Sequence, residues 1–228
     1  MQVEIWSDIV CPWCYVGKRR FESALADFEH RDDVRVTWRS FELDPHAPRE
    51  RDVDSATHLA QKYGMTREQA QASQQNLAEV AAGDGLDMRL DRTRGGNTFD
   101  AHRLVHLAGT HDLQGAMKER LMRAYFTEGE PIGDAGVLAR LGRELGLPDA
   151  EVEDVLRSDR FADEVRSDES TAMSLGISAV PFFVVDRTMG AAGAHPPEAL
   201  LELLLRGWEA RPAIDVLATG ATCDVDGC

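Results

Sequence analysis

Cys11-Pro12-Trp13-Cys14 is the stretch that most restricts how this chain can fold. Ahead of it, Val3-Glu4-Ile5-Trp6 has the β-branched and aromatic composition of a short strand. Behind it, Tyr15 to Glu29 is amphipathic at helical spacing, with Val16, Phe21, Leu25 and Phe28 as apolar points. The first cysteine therefore stands where a strand turns into a helix. Free N–H groups and the positive dipole end at a helix start stabilise a thiolate there, and the thiolate is the reactive form. Pro12 suits the first helical position, where its missing N–H would have had no partner. Cys14, one turn on, can close the ring and release a mixed disulfide. This reading makes Cys11 the nucleophile and Cys14 the resolving thiol. Two alternatives stand beside it: one half of a zinc site, completed by the second pair at Cys223 and Cys228, or two inert buried cysteines.

The chain has 228 residues, 43% of them hydrophobic, enough for a proper core. A net charge of −15 argues against nucleic acid and anionic membranes as partners, because both would repel it. Met1 leads straight into the first strand, with no basic start, apolar stretch and cleavage site ahead of it, so a cytoplasmic location is expected. In that compartment a Cys-x-x-Cys pair tends to be catalytic or metal-binding.

Val34 to Phe41 alternates apolar and polar residues and reads as a half-buried strand. A strand, helix, strand order implies parallel pairing with a right-handed crossover. From about Asp54 to Ser170 the composition turns to Ala, Leu, Glu, Gln and Arg. Helices are expected over 55–63, 66–82, 98–109, 113–127, 135–145 and 149–158, with a further one over 163–175. Thr66 and Gln69 stand in a capping-box pattern. Strands return at 181–186 and, more weakly, at 189–192, and a closing helix spans 197–208. The organisation is α/β: β-α-β, a helical insertion, then β-β-α. Residues 1–53 and 171–210 are expected to form one discontinuous domain, 54–170 the inserted helical subdomain and 211–228 a tail.

Val180-Pro181 stands directly before the later apolar strand. Pro181 has no N–H, and the backbone before it is free to pair with an extended substrate segment. Three stretches, Ser7 to Lys18, Asn97 to Leu104 and Val180 to Val184, resemble the DsbA-family oxidoreductases of the FrnE type. The resemblance runs to about Trp208. It implies a thioredoxin-like fold interrupted by a helical insertion, thiol–disulfide exchange on Cys11 and Cys14, and a cis-proline at Pro181 facing them. It also implies disulfide- or thiol-containing proteins or small molecules as partners, with no bound cofactor other than glutathione as a co-substrate.

Glutathione-dependent isomerases and kappa-class glutathione transferases are similar around Asn97-Thr98 but usually carry serine in place of Cys11. Retention of both cysteines favours redox exchange, since an isomerase has no need of the second sulfur. Pro12, Trp13, Val180 and Pro181 are the expected substrate-binding residues. His102 joins them if its helix packs by the active site, as it does in the resembling family. Asn97 and Thr98 suit a helix start. Cys223 and Cys228 are expected to form an auxiliary redox pair that exchanges with the first, the plainer alternative being two surface thiols at a chain end.

Overall fold

β1 (Gln2–Ser7) is buried over all but its first residue and is paired along both edges. The computed structural model describes residues 1–211, so Cys223 and Cys228 lie outside the described residues. β2 (Arg35–Ser40) runs parallel to β1 with Trp38 opposite Ile5. β3 (Phe182–Val185) runs antiparallel along the other edge with Phe183 opposite Ile5. β4 (Met189–Ala192) completes the order β2-β1-β3-β4. α1 (Pro12–Ala26) makes the crossover from β1 to β2, and α9 (Pro197–Glu209) follows β4. The β-α-β then β-β-α order expected from the sequence is the order observed.

Alternation along β1 explains why both sheet faces are covered. Val3 and Ile5 share a core with Phe21 of α1, Phe28 just after that helix, and Leu200 and Leu204 of α9. Phe21 stacks on Phe183 at 5.6 Å between centroids, tying α1 to β3. On the opposite face Trp6 and Val184 pack with Ala172 and Ile177. Gly207 lets α9 approach the sheet closely, since a Cβ there would strike Val185.

The insertion between β2 and β3 carries α2 (Ser55–Tyr63), α3 (Arg67–Gly83), α4 (Phe99–Gly109), α5 (Gln114–Arg123), α6 (Ala135–Glu144), α7 (Asp149–Arg157) and α8 (Ala162–Ser174). The capping box is formed, with Thr66 accepting from the Gln69 N–H and Gln69 accepting from the Thr66 N–H. Residues 113–127 are not one regular helix, because α5 gives way to a π-helical turn over Ala124–Glu128. At α4 the cap is Asn97, which accepts from the Phe99 N–H, whereas the Thr98 side chain makes no capping bond.

The boundary expected at residue 170 falls inside α8, which is continuous across it. Ala172 of that helix packs under Trp6, and Leu104 of α4 and Leu121 of α5 lie in the same hydrophobic cluster as Val3. Sheet and insertion are thus built on shared apolar contacts. Among the described residues no helix is long and apolar enough to cross a membrane.

Candidate active site

Cys11 is the N-cap of α1, in extended conformation, with Pro12 at the first helical position. The Cys14 N–H donates to Cys11 Sγ at 3.3 Å, so a first-turn amide points at the first sulfur. The Cys11 thiol donates in turn to the Val180 carbonyl at 3.8 Å. The Val180–Pro181 bond is cis. Pro181 packs on Gly17 of α1, where a Cβ would come within 2.8 Å of the proline Cγ. The residues over 178–181 lie outside the sheet ladder, which begins at Phe182. Trp13 is 44% exposed at the rim of the site.

The two sulfurs differ in access. Cys11 keeps 5% of its surface and Cys14 none. Burial pushes the Cys14 thiol well above its ordinary range, and the hydrogen bond and charge of Cys11 push it the same way. A free Cys14 is therefore a poor nucleophile until something stabilises its anion.

Behind the dithiol lies a buried polar cluster drawn from three elements. Asp8, just past β1, accepts from its neighbour's N–H (Ile9) at 2.7 Å and from Leu43 N–H at 2.8 Å. His102 of α4 places Nε2 at 3.2 Å from Asp8 Oδ1. Burial works against the Asp8 anion, but His102, the Leu43 amide and the Lys118 charge outweigh it and hold its carboxyl below the ordinary 3.8. Burial lowers the His102 titration, so at neutral pH a neutral ring donates Nε2–H to the carboxylate. Lys118 of α5, 1% exposed, donates from Nζ to the Ser7 carbonyl at 2.9 Å. His102 does not line a substrate groove as the sequence suggested. Its ring is 1% exposed and turned inward to Asp8. Asp8 and Lys118 were missed altogether. Lys118 could have been suspected from composition, since twenty-two of the twenty-five basic residues are arginine and a retained lysine stands out.

A pocket of about 220 Å³ opens beside Val10 and Pro12. Leu59, Leu77, Tyr125 and Phe126 give it apolar walls, and Arg51 and Lys62 line it as well. His58 stands among them, its titration lowered by burial and by both cations. Arg51 is paired with Asp44. The π-helical turn supplies Tyr125 and Phe126, and Phe126 also stacks on Tyr15 of α1 at 5.8 Å. Among the described residues no group of three or more His, Cys, Asp or Glu could hold a metal ion.

Glu42, just after β2, is 5% exposed and carries a pH signature of its own. Burial raises its carboxyl from 4.5 to about 7, against the Arg166 hydrogen bond and with the Glu169 charge adding to the rise. The folded chain then holds a proton that the unfolded chain has already released. The stability this carries is whole below about pH 4.5 and is lost as the pH rises through 7. Glu42→Gln is expected to flatten that fall and to raise stability at pH 8 by roughly 2 kcal/mol. Urea unfolding of both proteins at pH 5 and pH 8 is the check. An equal difference at the two pH values would contradict it.

The chain belongs to the DSBA-like thioredoxin domain family, whose model matches residues 2–205. A probable DsbA oxidoreductase from Streptomyces coelicolor is 46% identical, with a TM-score of 0.90 over 100% of this chain and 98% of that one. The uncharacterized protein YwbO of Bacillus subtilis is 30% identical over 197 residues, 85% of this chain and 92% of its own length. The cytosolic disulfide reductase DsbM of Pseudomonas aeruginosa shares the fold, at 18% identity and a TM-score of 0.64 over 92% of this chain and 100% of that one. The architecture is thus a thioredoxin-like α/β fold with an inserted helical subdomain. Its general chemistry is that of a thiol–disulfide oxidoreductase.

Proposed function

We propose that the chain exchanges disulfides with proteins or small molecules through Cys11 and Cys14, as an oxidoreductase of the FrnE type. The observation that carries this is the asymmetry of the pair: an amide N–H directed at Cys11 Sγ at 3.3 Å, beside a Cys14 sealed from solvent. A thiolate held by the helix start attacks a substrate disulfide, and Cys14 resolves the mixed disulfide that results. Val180, Pro181, Pro12 and Trp13 surround the sulfur that reacts and form the docking surface. The FrnE assignment is supported by Ser7 to Lys18, Asn97 to Leu104 and Val180 to Val184.

A glutathione-like co-substrate is the second reading. Its support is the pocket beside Pro12, where the Lys62 ammonium suits a carboxylate of a small anionic thiol.

Redox titration against glutathione, followed by Trp13 fluorescence, tests the proposal. One two-electron transition is expected, and it should vanish in Cys11→Ser. Its midpoint gives the direction of exchange: about −120 mV marks a strong oxidant and about −270 mV a reductant. A protein that shows no transition between these limits and keeps both thiols free throughout would contradict the proposal.

A further inference from the structure

Lys118 sits in the middle of α5, directly followed by Glu119 and Arg120, and is nonetheless buried. Taking an ammonium out of water costs several kcal/mol, so its position needs a reason. Its Nζ donates to the Ser7 carbonyl. The Asp8 N–H is the other end of the same peptide unit, and it favours the Cys14 anion. A peptide is a planar dipole whose carbonyl and N–H point in opposite directions, so the ammonium holds one end of this dipole and the donor that favours the thiolate is the other. An ammonium at the carbonyl polarises the amide and makes its N–H a stronger donor.

We propose that Lys118 is a positioning residue for the resolving step: through the Ser7–Asp8 peptide and by its own charge it steadies the Cys14 thiolate as it attacks. This rests on the exchange chemistry proposed above. The substrate sulfur is held to Cys11 as a mixed disulfide. Cys14 loses its proton, and its sulfur bonds to Cys11 Sγ. The bond from Cys11 to the substrate sulfur breaks, and the substrate leaves as a thiolate that takes up one proton. Two thiol sulfurs of the protein become one disulfide and the substrate is reduced, with no further oxidant.

The titratable groups whose charges act on Lys118 or feel it are Cys11 and Cys14 at the start of α1, Asp8 after β1, His102 of α4 and Asp168 of α8. Asp168 is occupied by Arg39 and the Ser40 N–H, and Asp8 by His102 and two amides. Burial brings the Lys118 ammonium down to about 8, with the charge of Cys14 as the leading influence in the opposite direction. Lysine and resolving thiol therefore sense each other's charge.

The test uses the full chain with Cys223 and Cys228 both replaced by serine, so that only the active pair reports. Reduced protein is mixed with an aromatic disulfide whose thiol product absorbs visible light. The first release reports attack by Cys11, the second attack by Cys14. In Lys118→Met, which keeps the side-chain length, the second phase should slow about tenfold relative to the first at pH 7, and its pH profile should move up by about one unit. An unchanged ratio of phases with an unchanged profile would overturn the inference and leave the exchange chemistry standing. A parent chain with no first phase would instead overturn the exchange chemistry.

Should Lys118→Met fail to fold, the native chain decides. It has only three lysines, Lys18, Lys62 and Lys118, so their side-chain carbon resonances are easily assigned. Lys118 should titrate at a higher pH in the dithiol than in the disulfide form. Identical titrations in the two forms would overturn the inference.

Discussion

Serine at position 11 is expected to reduce exchange with a small disulfide to the uncatalysed background, whereas serine at position 14 should convert the protein into a trap for its substrates. The two outcomes follow from the unequal surroundings of the sulfurs. Cys11 caps α1, accepts the Cys14 N–H and retains a sliver of surface at the rim formed by Trp13 and Val180. Cys14 has no exposed surface, and its thiol is pushed up by burial and by its neighbour. Removing Cys11 thus leaves a thiol that a disulfide cannot reach and that is rarely ionised. Removing Cys14 leaves the attack intact and deletes the sulfur one helical turn away that releases the product. Mass spectrometry after mixing with excess substrate disulfide is the check: a persistent adduct at Cys11 in Cys14→Ser, and none at Cys14 in Cys11→Ser. Faster alkylation of Cys14 than of Cys11 in the wild-type chain would reverse the assignment.

The sequence made the chemistry at the surface of this site legible because that chemistry lies in contiguous motifs. A strand, Cys11-Pro12-Trp13-Cys14 and an amphipathic helix follow one another along the chain, and Pro181 directly precedes a compact apolar strand. Helix starts were equally local, as the Thr66–Gln69 capping box shows. The layer beneath was hidden for a physical reason. Asp8, His102 and Lys118 lie on three elements more than ninety residues apart in the first step, and their partnership exists only after the sheet and insertion pack together. Lys118 stands beside Glu119 and Arg120 with no local mark of its burial, while His102 reads as a side chain at a groove. Burial of the His102 ring reverses that reading. The domain boundary failed similarly: a change of composition near residue 170 does not interrupt α8, because its apolar residues serve the sheet on one side and α4 on the other.

Asp8→Ala is expected to cost more stability than any single truncation at the surface of the site. The Asp8 carboxylate satisfies the Ile9 and Leu43 amides and the His102 ring at once, in a place without solvent. Its removal leaves those donors unpaired and takes from Lys118 the influence of the Asp8 charge. Breaking one side of a buried charge network costs about 3–5 kcal/mol, because the remaining groups stay desolvated. For a domain of this size that corresponds to a fall of roughly 6–20 °C in melting temperature. Asp8→Asn keeps an acceptor for one amide but loses the charge, so its fall should be smaller and still clear. The pH dependence has a definite sign. Because the folded carboxyl titrates below the ordinary 3.8, the stability it carries is present above that value and is lost as the pH falls through the folded one. The gap between wild type and Asp8→Ala should therefore be full at pH 7 and narrow in strong acid. Calorimetry of the three proteins at pH 7 and near pH 3 measures it. A fall under about 3 °C at pH 7 would show that the neighbouring amides and Lys118 find other partners. The cluster would then be a consequence of packing and not one of its supports.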